Sequence, residues 1–290
     1  MTPTTPQSFI AKKKRVLEQL AVPIEDYDDL SPKGSVDEGI RDLIEEINGL
    51  DGCVTTSSCA GRISVFLEGK KSISDEEQNG QQDAERINAP VKAAGVGGKG
   101  GGGRWLFVSH DPVDIQKHEL KWAEMFGMRR ADTNTVTPII QADTRNTRFV
   151  HFKFEPMILH VFTASLQQAQ TVLAAALQAG FRESGALNLT SSFAEQPTPM
   201  VGIRSMGLAL ESLIGFEHDG QELCTVPEWQ LKNLLEISND RFVENTKRIE
   251  RFRTLLKDFS GGAHEARRKA KIARNGKTRK SGENESEQKA

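Results

Sequence analysis

Apolar positions along this chain fall into blocks of two periods. Ile40, Leu43, Ile44 and Ile47 recur at helical spacing behind Ser35 and Glu38, which are placed as a capping box, and Gly49 stands where such a helix ends. The next segments, CVTTS, ISVFLE and RWLFVSH, are short and rich in β-branched or aromatic residues, so they predict three strands. Asp111-Pro112 breaks the pattern, and a helix is expected around residues 114–126. The segment from Phe149 to Thr163, FVHFKFEPMILHVFT, reads as a strong strand; its Pro156 predicts a bend or an edge there. Ser165 caps an Ala/Leu/Gln helix that stops at Gly180, and short strands fit residues 181–189, 200–206 and 208–214. Pro227 suits the first turn of a long final helix, in which Leu235, Phe242, Ile249 and Leu256 recur every seven positions. That stripe can dock on a sheet or on a partner helix.

Strands come in runs with helices between the runs. This order predicts an α+β fold, one compact domain of mixed and antiparallel strands with packing helices, and not a doubly wound Rossmann sheet. Gly95, Gly97 and Gly100 satisfy G-x-G-x-x-G, but NAPVKAA precedes them and a predicted strand follows, whereas a dinucleotide site needs a buried strand before and a helix after.

Composition narrows the picture. The chain has 290 residues, 37% of them hydrophobic, and a net charge of -2, enough for a sizeable core. No run approaches the roughly 20 apolar residues of a membrane span, and the amino terminus lacks a signal-peptide core, so a cytoplasmic location is expected. Three cysteines fit a reducing compartment and are too few for a structural zinc site; no metal is expected. Residues 69–103 are polar and glycine-rich and read as a solvated insertion without fixed structure. Residues 261–290 form a basic tail, with eight lysines and arginines from Arg267 to Lys280; it reads as a disordered solubilising end, an import signal or a phosphate contact. The ordered domain is thus expected over residues 8–260.

TTSSCAGRISVF, from Thr55 to Phe66, carries the densest candidate chemistry. Thr55 and Thr56 suit a strand end, Ser57 and Ser58 a turn, Gly61 a positive φ, and Arg62 offers a planar fork for a carboxylate or phosphate. The segment reads as a cradle for a polar ligand, or as a hairpin whose hydroxyls satisfy its own backbone. Cys59 lacks the arginine six residues on that a cysteine-phosphatase loop needs, the position being Val65, and reads as small, buried and inert.

SPKGSVDEGI, TTSSCAGRI, WLFVSH, FKFEPMILHV, GFRESG, GIRSMGLALE and ENTKRIERF, in that order over about residues 8–258, resemble the tRNA wybutosine-synthesising protein 3 family. The resemblance implies an α+β fold and an S-adenosyl-L-methionine-dependent methyltransferase acting on N4 of a tricyclic guanosine derivative beside the anticodon of phenylalanine tRNA. With it, Thr56, Ser57, Ser58, Arg62 and Ser64 become candidates for the cofactor. Asp37 and His110, in SVDE and VSH, become candidates to accept the proton of the acceptor nitrogen. Glu155, His160, Arg204 and Ser205 are candidates for the modified base or the cofactor. His151, Lys153 and Glu155 share one strand face, which can equally be the solvated one. A non-catalytic tRNA-binding module, served by basic residues such as Lys12, Lys13, Arg129 and Arg148, remains the alternative, and a cysteine hydrolase a third reading.

Overall fold

The computed structural model describes residues 5–21, 38–69, 103–116, 121–131, 147–190 and 196–287, the last 26 by backbone alone. Eight strands form one sheet in the order β2-β1-β4-β7-β8-β3, with β6 also on β4 and β5 on β6. They are β1 (Cys53–Leu67), β2 (Arg104–Ser109), β3 (Arg129–Arg130), β4 (Arg148–Thr163), β5 (Gly185–Leu187), β6 (Met200–Ile203), β7 (Leu210–His218) and β8 (Gln221–Cys224). Every pairing is antiparallel except β3 with β8. The helices are α1 (Gln7–Leu20), α2 (Arg41–Gly49, entered through a 3-10 turn, Glu38–Ile40), α3 (Trp122–Met125), α4 (Leu166–Ala179) and α5 (Glu228–Glu287). This is the expected α+β domain.

Local signals explain several elements. The Ser165 hydroxyl accepts from the Gln168 N–H at the start of α4, and Gly180, at φ +103°, ends it. Leu235, Phe242, Ile249 and Leu256 are all buried, so the seven-residue stripe of α5 docks on the sheet. Its first half joins Phe152 and Phe154 of β4 in one cluster; its second half joins Met157, Leu159 and Val161, with α2 and α4, in another. Full burial of each such side chain stabilises by about 1.5–3 kcal/mol.

Other elements depart from the sequence reading. CVTTS and ISVFLE are one 15-residue strand, because SSCAGR pairs with β4 instead of turning. Pro156 lies on a central strand. β4 pairs with β7 up to Phe154 and with β6 from Leu159, so the proline falls in a gap where no second ladder needs its N–H. Of the helix expected over residues 114–126, only Trp122–Met125 is helical among the described residues, since Trp122 and Phe126 bury in the core as a single turn. The strand at 208–214 runs to His218 and turns through Asp219-Gly220, both at positive φ, into β8, which the apolar pattern did not signal. Helix α1 was likewise unsignalled; it anchors through Phe9, stacked on Phe162 at 5.5 Å. Helix α5 continues across residues 261–287, where composition suggests an unstructured tail, because Ala, Arg, Lys and Glu propagate a helix readily. Ser35, most of the 69–103 insertion and Asp37 lie outside the described residues.

Candidate functional site

The residues of TTSSCAGR are held in extended form by β4, in a ladder that pairs Ser57 with His160, Cys59 with Ile158, Gly61 with Pro156 and Arg62 with Glu155. A register shift between Thr55 and Ser57 marks a bulge. Between the two strands and open to one face is a cavity of about 130 Å³ lined by Ser57, Ser58, Cys59, Arg62, Glu155, Pro156 and Ile158. The turn expected at Ser57-Ser58 is therefore a strand segment, and its side chains form a wall.

Arg62 is the organising charge of this wall. Its Nε donates to Glu155 Oε2 at 2.7 Å, and its guanidinium lies 4.7 Å from the centroid of the Trp105 ring, which in turn packs against Phe66 at 5.1 Å. Salt bridge and stacking together fix the plane of the fork at the cavity wall, so the side chain has little rotamer entropy left to lose. Both partners of the pair are about a quarter to a third exposed, so screening keeps the pair's own contribution near that of a surface ion pair, about 0–1 kcal/mol. Its value is orientation.

Two histidines reach the same wall. Ser57 Oγ and His160 Nδ1 are 2.8 Å apart, and Cys59 Sγ lies 3.9 Å from His110 Nδ1. Burial, and then the charge of Arg204, lower the pKa of His160 from its ordinary value, which keeps the ring neutral at pH 7. Gly202 of β6 faces that ring: a Cβ there would stand 3.5 Å from His160 Cδ2. Cys59 is half-exposed, not buried as its size suggested, because it sits on the open side of β1.

The structure thus brings Ser57, Ser58, Arg62 and Glu155 together, with His110 and His160 at the edges. It separates the others. The Thr56 hydroxyl is directed to His160 O at 3.4 Å and Met200 Sδ at 3.5 Å. Ser64 is fully buried beside this face, and its hydroxyl has no partner among the described residues. Arg204 Nε donates to Glu183 O, so it acts on His160 through charge alone. Ser205 is buried away from the cavity and accepts from Arg248, which also holds Gly180 O at the end of α4. His151 and Lys153, on the face shared with Glu155, are engaged by Glu68 and Glu211 at 2.6–3.0 Å.

Trp105, Gly202 and Asn245 of α5 belong to the site's frame and escaped the sequence reading. Trp105 carried a signal, an aromatic on a short strand of high β-propensity. Asn245 carried none. Its Oδ1 accepts from Met157 N at 2.9 Å and its Nδ2 donates to Ala60 O at 2.7 Å, so one side-chain amide bridges β1 and β4 inside the ladder. A larger cavity, about 270 Å³, lies between the end of α2 and the start of α4 and contains none of the candidate residues. Among the described residues no group of three or more His, Cys, Asp or Glu could hold a metal ion.

A curled, mostly antiparallel sheet packed with helices, with a guanidinium, a carboxylate and hydroxyls on its open side, is an α+β fold unlike the nucleotide-binding Rossmann sheets. The family model described as Methyltransferase TYW3 matches residues 11–258, and the chain belongs to that methyltransferase family. It is 34% identical over 248 residues to tRNA wybutosine-synthesizing protein 3 of Saccharomyces cerevisiae, covering 84% of this chain and 78% of the relative. To the Schizosaccharomyces pombe protein of the same name it is 32% identical over 250 residues, covering 86% of each. The fold is shared with PH1069 from Pyrococcus horikoshii OT3, at a TM-score of 0.57 and 22% identity over 89% of this chain and 98% of that one.

Proposed function

We propose that this protein is an S-adenosyl-L-methionine-dependent methyltransferase that methylates N4 of the demethylated tricyclic wybutosine precursor beside the anticodon of phenylalanine tRNA. The observation that carries this reading is the oriented Arg62 fork, stacked on Trp105 and tied to Glu155 in a cavity walled by Ser57 and Ser58, in a chain of a methyltransferase family. The donor set fits the cofactor. Its carboxylate is matched by the Arg62 guanidinium, and its ammonium or ribose hydroxyls by Glu155 and the two serine hydroxyls.

When bound, the cofactor supplies an already electrophilic methyl, so no covalent nucleophile is needed. What the chain must do is align the acceptor nitrogen, exclude water and accept a proton. Arg62 and Glu155 orient, the wall between β1 and β4 shields one side of the bound molecule from solvent, and the imidazoles of His110 and His160 stand at the edges. A cysteine-hydrolase reading loses ground, because Cys59 and His110 stand at the outer limit of a sulfur hydrogen bond.

Among the described residues no helix is long and apolar enough to cross a membrane. The proposed reaction puts the enzyme in the cytoplasm with its tRNA, which would meet basic side chains such as the exposed Arg129 and Arg130.

The test is transfer from labelled S-adenosyl-L-methionine. Label should enter phenylalanine tRNA from cells blocked before this methylation and should not enter unmodified transcript, which lacks the tricycle. Incorporation into transcript would overturn the substrate assignment. Absence of both transfer and cofactor binding would favour the tRNA-binding module.

A further inference from the structure

The acceptor nitrogen must shed a proton, and the geometry of the outer wall assigns where it goes. We propose that Ser57 and His160 form a relay in which Ser57 Oγ takes the proton from the acceptor nitrogen and passes its own to His160 Nδ1. This rests on the methyltransferase reading above and goes beyond it by naming the base.

Three observations converge. Ser57 lines the cavity that Arg62 and Glu155 define, and its side chain is exposed to whatever enters. Its Oγ stands 2.8 Å from His160 Nδ1, within proton-transfer reach, because the Thr55/Ser57 bulge brings the two residues into register on one face. On β6 the ring is flanked by Gly202, where even an added Cβ would stand at ordinary van der Waals range of Cδ2 and Nε2, so this side of the imidazole is uncrowded.

The surrounding charges suit an imidazole that begins neutral and does not hold the proton long. Arg204, just after β6, opposes the imidazolium. Lys12 of α1 lies over Phe162, two residues further along β4, and adds positive charge from that side. Toward the other end of the wall β1 and β4 contribute the Arg62–Glu155 pair, and Cys59 and His110 lie between. His110 contacts a thiol at 3.9 Å, a weaker link to the cavity than the serine bond.

The step balances. The acceptor lone pair forms the nitrogen–carbon bond, and the carbon–sulfur pair departs with sulfur as a neutral thioether. The N–H pair stays on nitrogen, and the proton moves through Ser57 to His160 and then to water.

His160→Gln and Ser57→Ala test this in single-turnover transfer to precursor-bearing tRNA across a pH series, with binding of S-adenosylhomocysteine measured by calorimetry. His160→Gln should lower the transfer rate by about 10²–10⁴-fold while S-adenosylhomocysteine affinity stays within a few-fold. The parent rate should fall on the acid side at a pH below the ordinary histidine value of 6.5, and the variant should lack that limb. Ser57→Ala should lose single-turnover rate even at saturating cofactor, beyond any few-fold weakening of S-adenosylhomocysteine binding from the lost hydroxyl, and move toward parental rate at high pH. A His160→Gln enzyme of parental rate, one that keeps the acid limb, or one whose loss follows weakened binding would each overturn the relay. Should His160→Gln not fold, a parental rate in Ser57→Ala overturns it. If the parent itself fails to methylate the precursor, the function reading falls and the relay with it. Parental transfer with unaffected variants removes the relay alone.

Discussion

Gly61 stands opposite Pro156 in the ladder between β1 and β4, and the two residues solve one problem from both sides. Pro156 occupies the gap where β4 changes partner from β7 to β6, and Gly61 adopts φ +124°, a conformation few other residues tolerate. The room so made is taken by Asn245, whose amide supplies the hydrogen bonds the interrupted ladder omits between Ala60 and Met157. Arg62 and Glu155, the next pair along, thereby project into the cavity.

Gly61→Ala should destabilise the fold by about 1–3 kcal/mol, the usual cost of a non-glycine residue held in a sparsely populated backbone region. Its Cβ would also stand 3.1 Å from Glu155 O and 3.2 Å from Asn245 Nδ2. Urea unfolding of variant and parent measures this. Equal midpoints would show that the strand can relax.

Asn245→Leu removes the bridge but not the groups it serves. Met157 N–H would be left buried without its acceptor, at about 1–3 kcal/mol, and Ala60 C=O would lose its bond from Nδ2. Thermal melts should show the loss, and weaker binding of the cofactor product should accompany it, since the wall of the cavity would no longer be pinned.

Arg62→Lys keeps the charge and loses both the fork and the stacking on Trp105. Cofactor binding should weaken by about 1.5–3 kcal/mol, the range for a charge-assisted hydrogen bond. Calorimetry with S-adenosylhomocysteine reads it directly. Parental affinity in Arg62→Ala would return this arginine to a purely structural role.

Glu46 on α2 couples stability to acid pH. Its hydrogen bonds from Arg253, and then Lys257, of α5 lower its pKa from 4.5 to about 2. A carboxylate whose folded pKa is depressed adds stability above its unfolded value and loses it as pH falls toward the folded one. Glu46→Gln should therefore be less stable than the parent at neutral pH, by up to about 1 kcal/mol for so exposed a cluster. The gap should close between pH 4.5 and about 2, as urea midpoints measured down the pH scale will show.

Deleting residues 261–290 removes the basic end of α5 without touching the buried stripe, whose last member is Leu256. Apparent tRNA KM should rise, most at low salt, and the slope of log affinity against log salt should become shallower by roughly one unit for each phosphate that the shortened helix no longer neutralises. Turnover at saturating tRNA should stay parental. Coincident salt slopes would mean that the end of the helix does not touch tRNA.

Features that depend on chain neighbours were legible in the sequence. The Ser165 cap, the Gly180 stop, the seven-residue stripe of α5 and the α+β order are local patterns of period, cap and turn, and none of them needs a distant partner to be recognised. The order of the motifs also pointed to the family, and to Ser57, Ser58, Arg62 and Glu155, which do meet in one cavity. That SSCAGR is strand and not turn was settled by the folded chain, because pairing along the full length of β4 outweighs the turn preference of small polar residues. Folding likewise settled that Ser205 supports Arg248, that Trp105 fixes Arg62, and that Asn245, from a helix 185 residues beyond Ala60, completes the ladder. Such assignments rest on partners distant in sequence, and periodicity carries no record of which distant surface a side chain will meet.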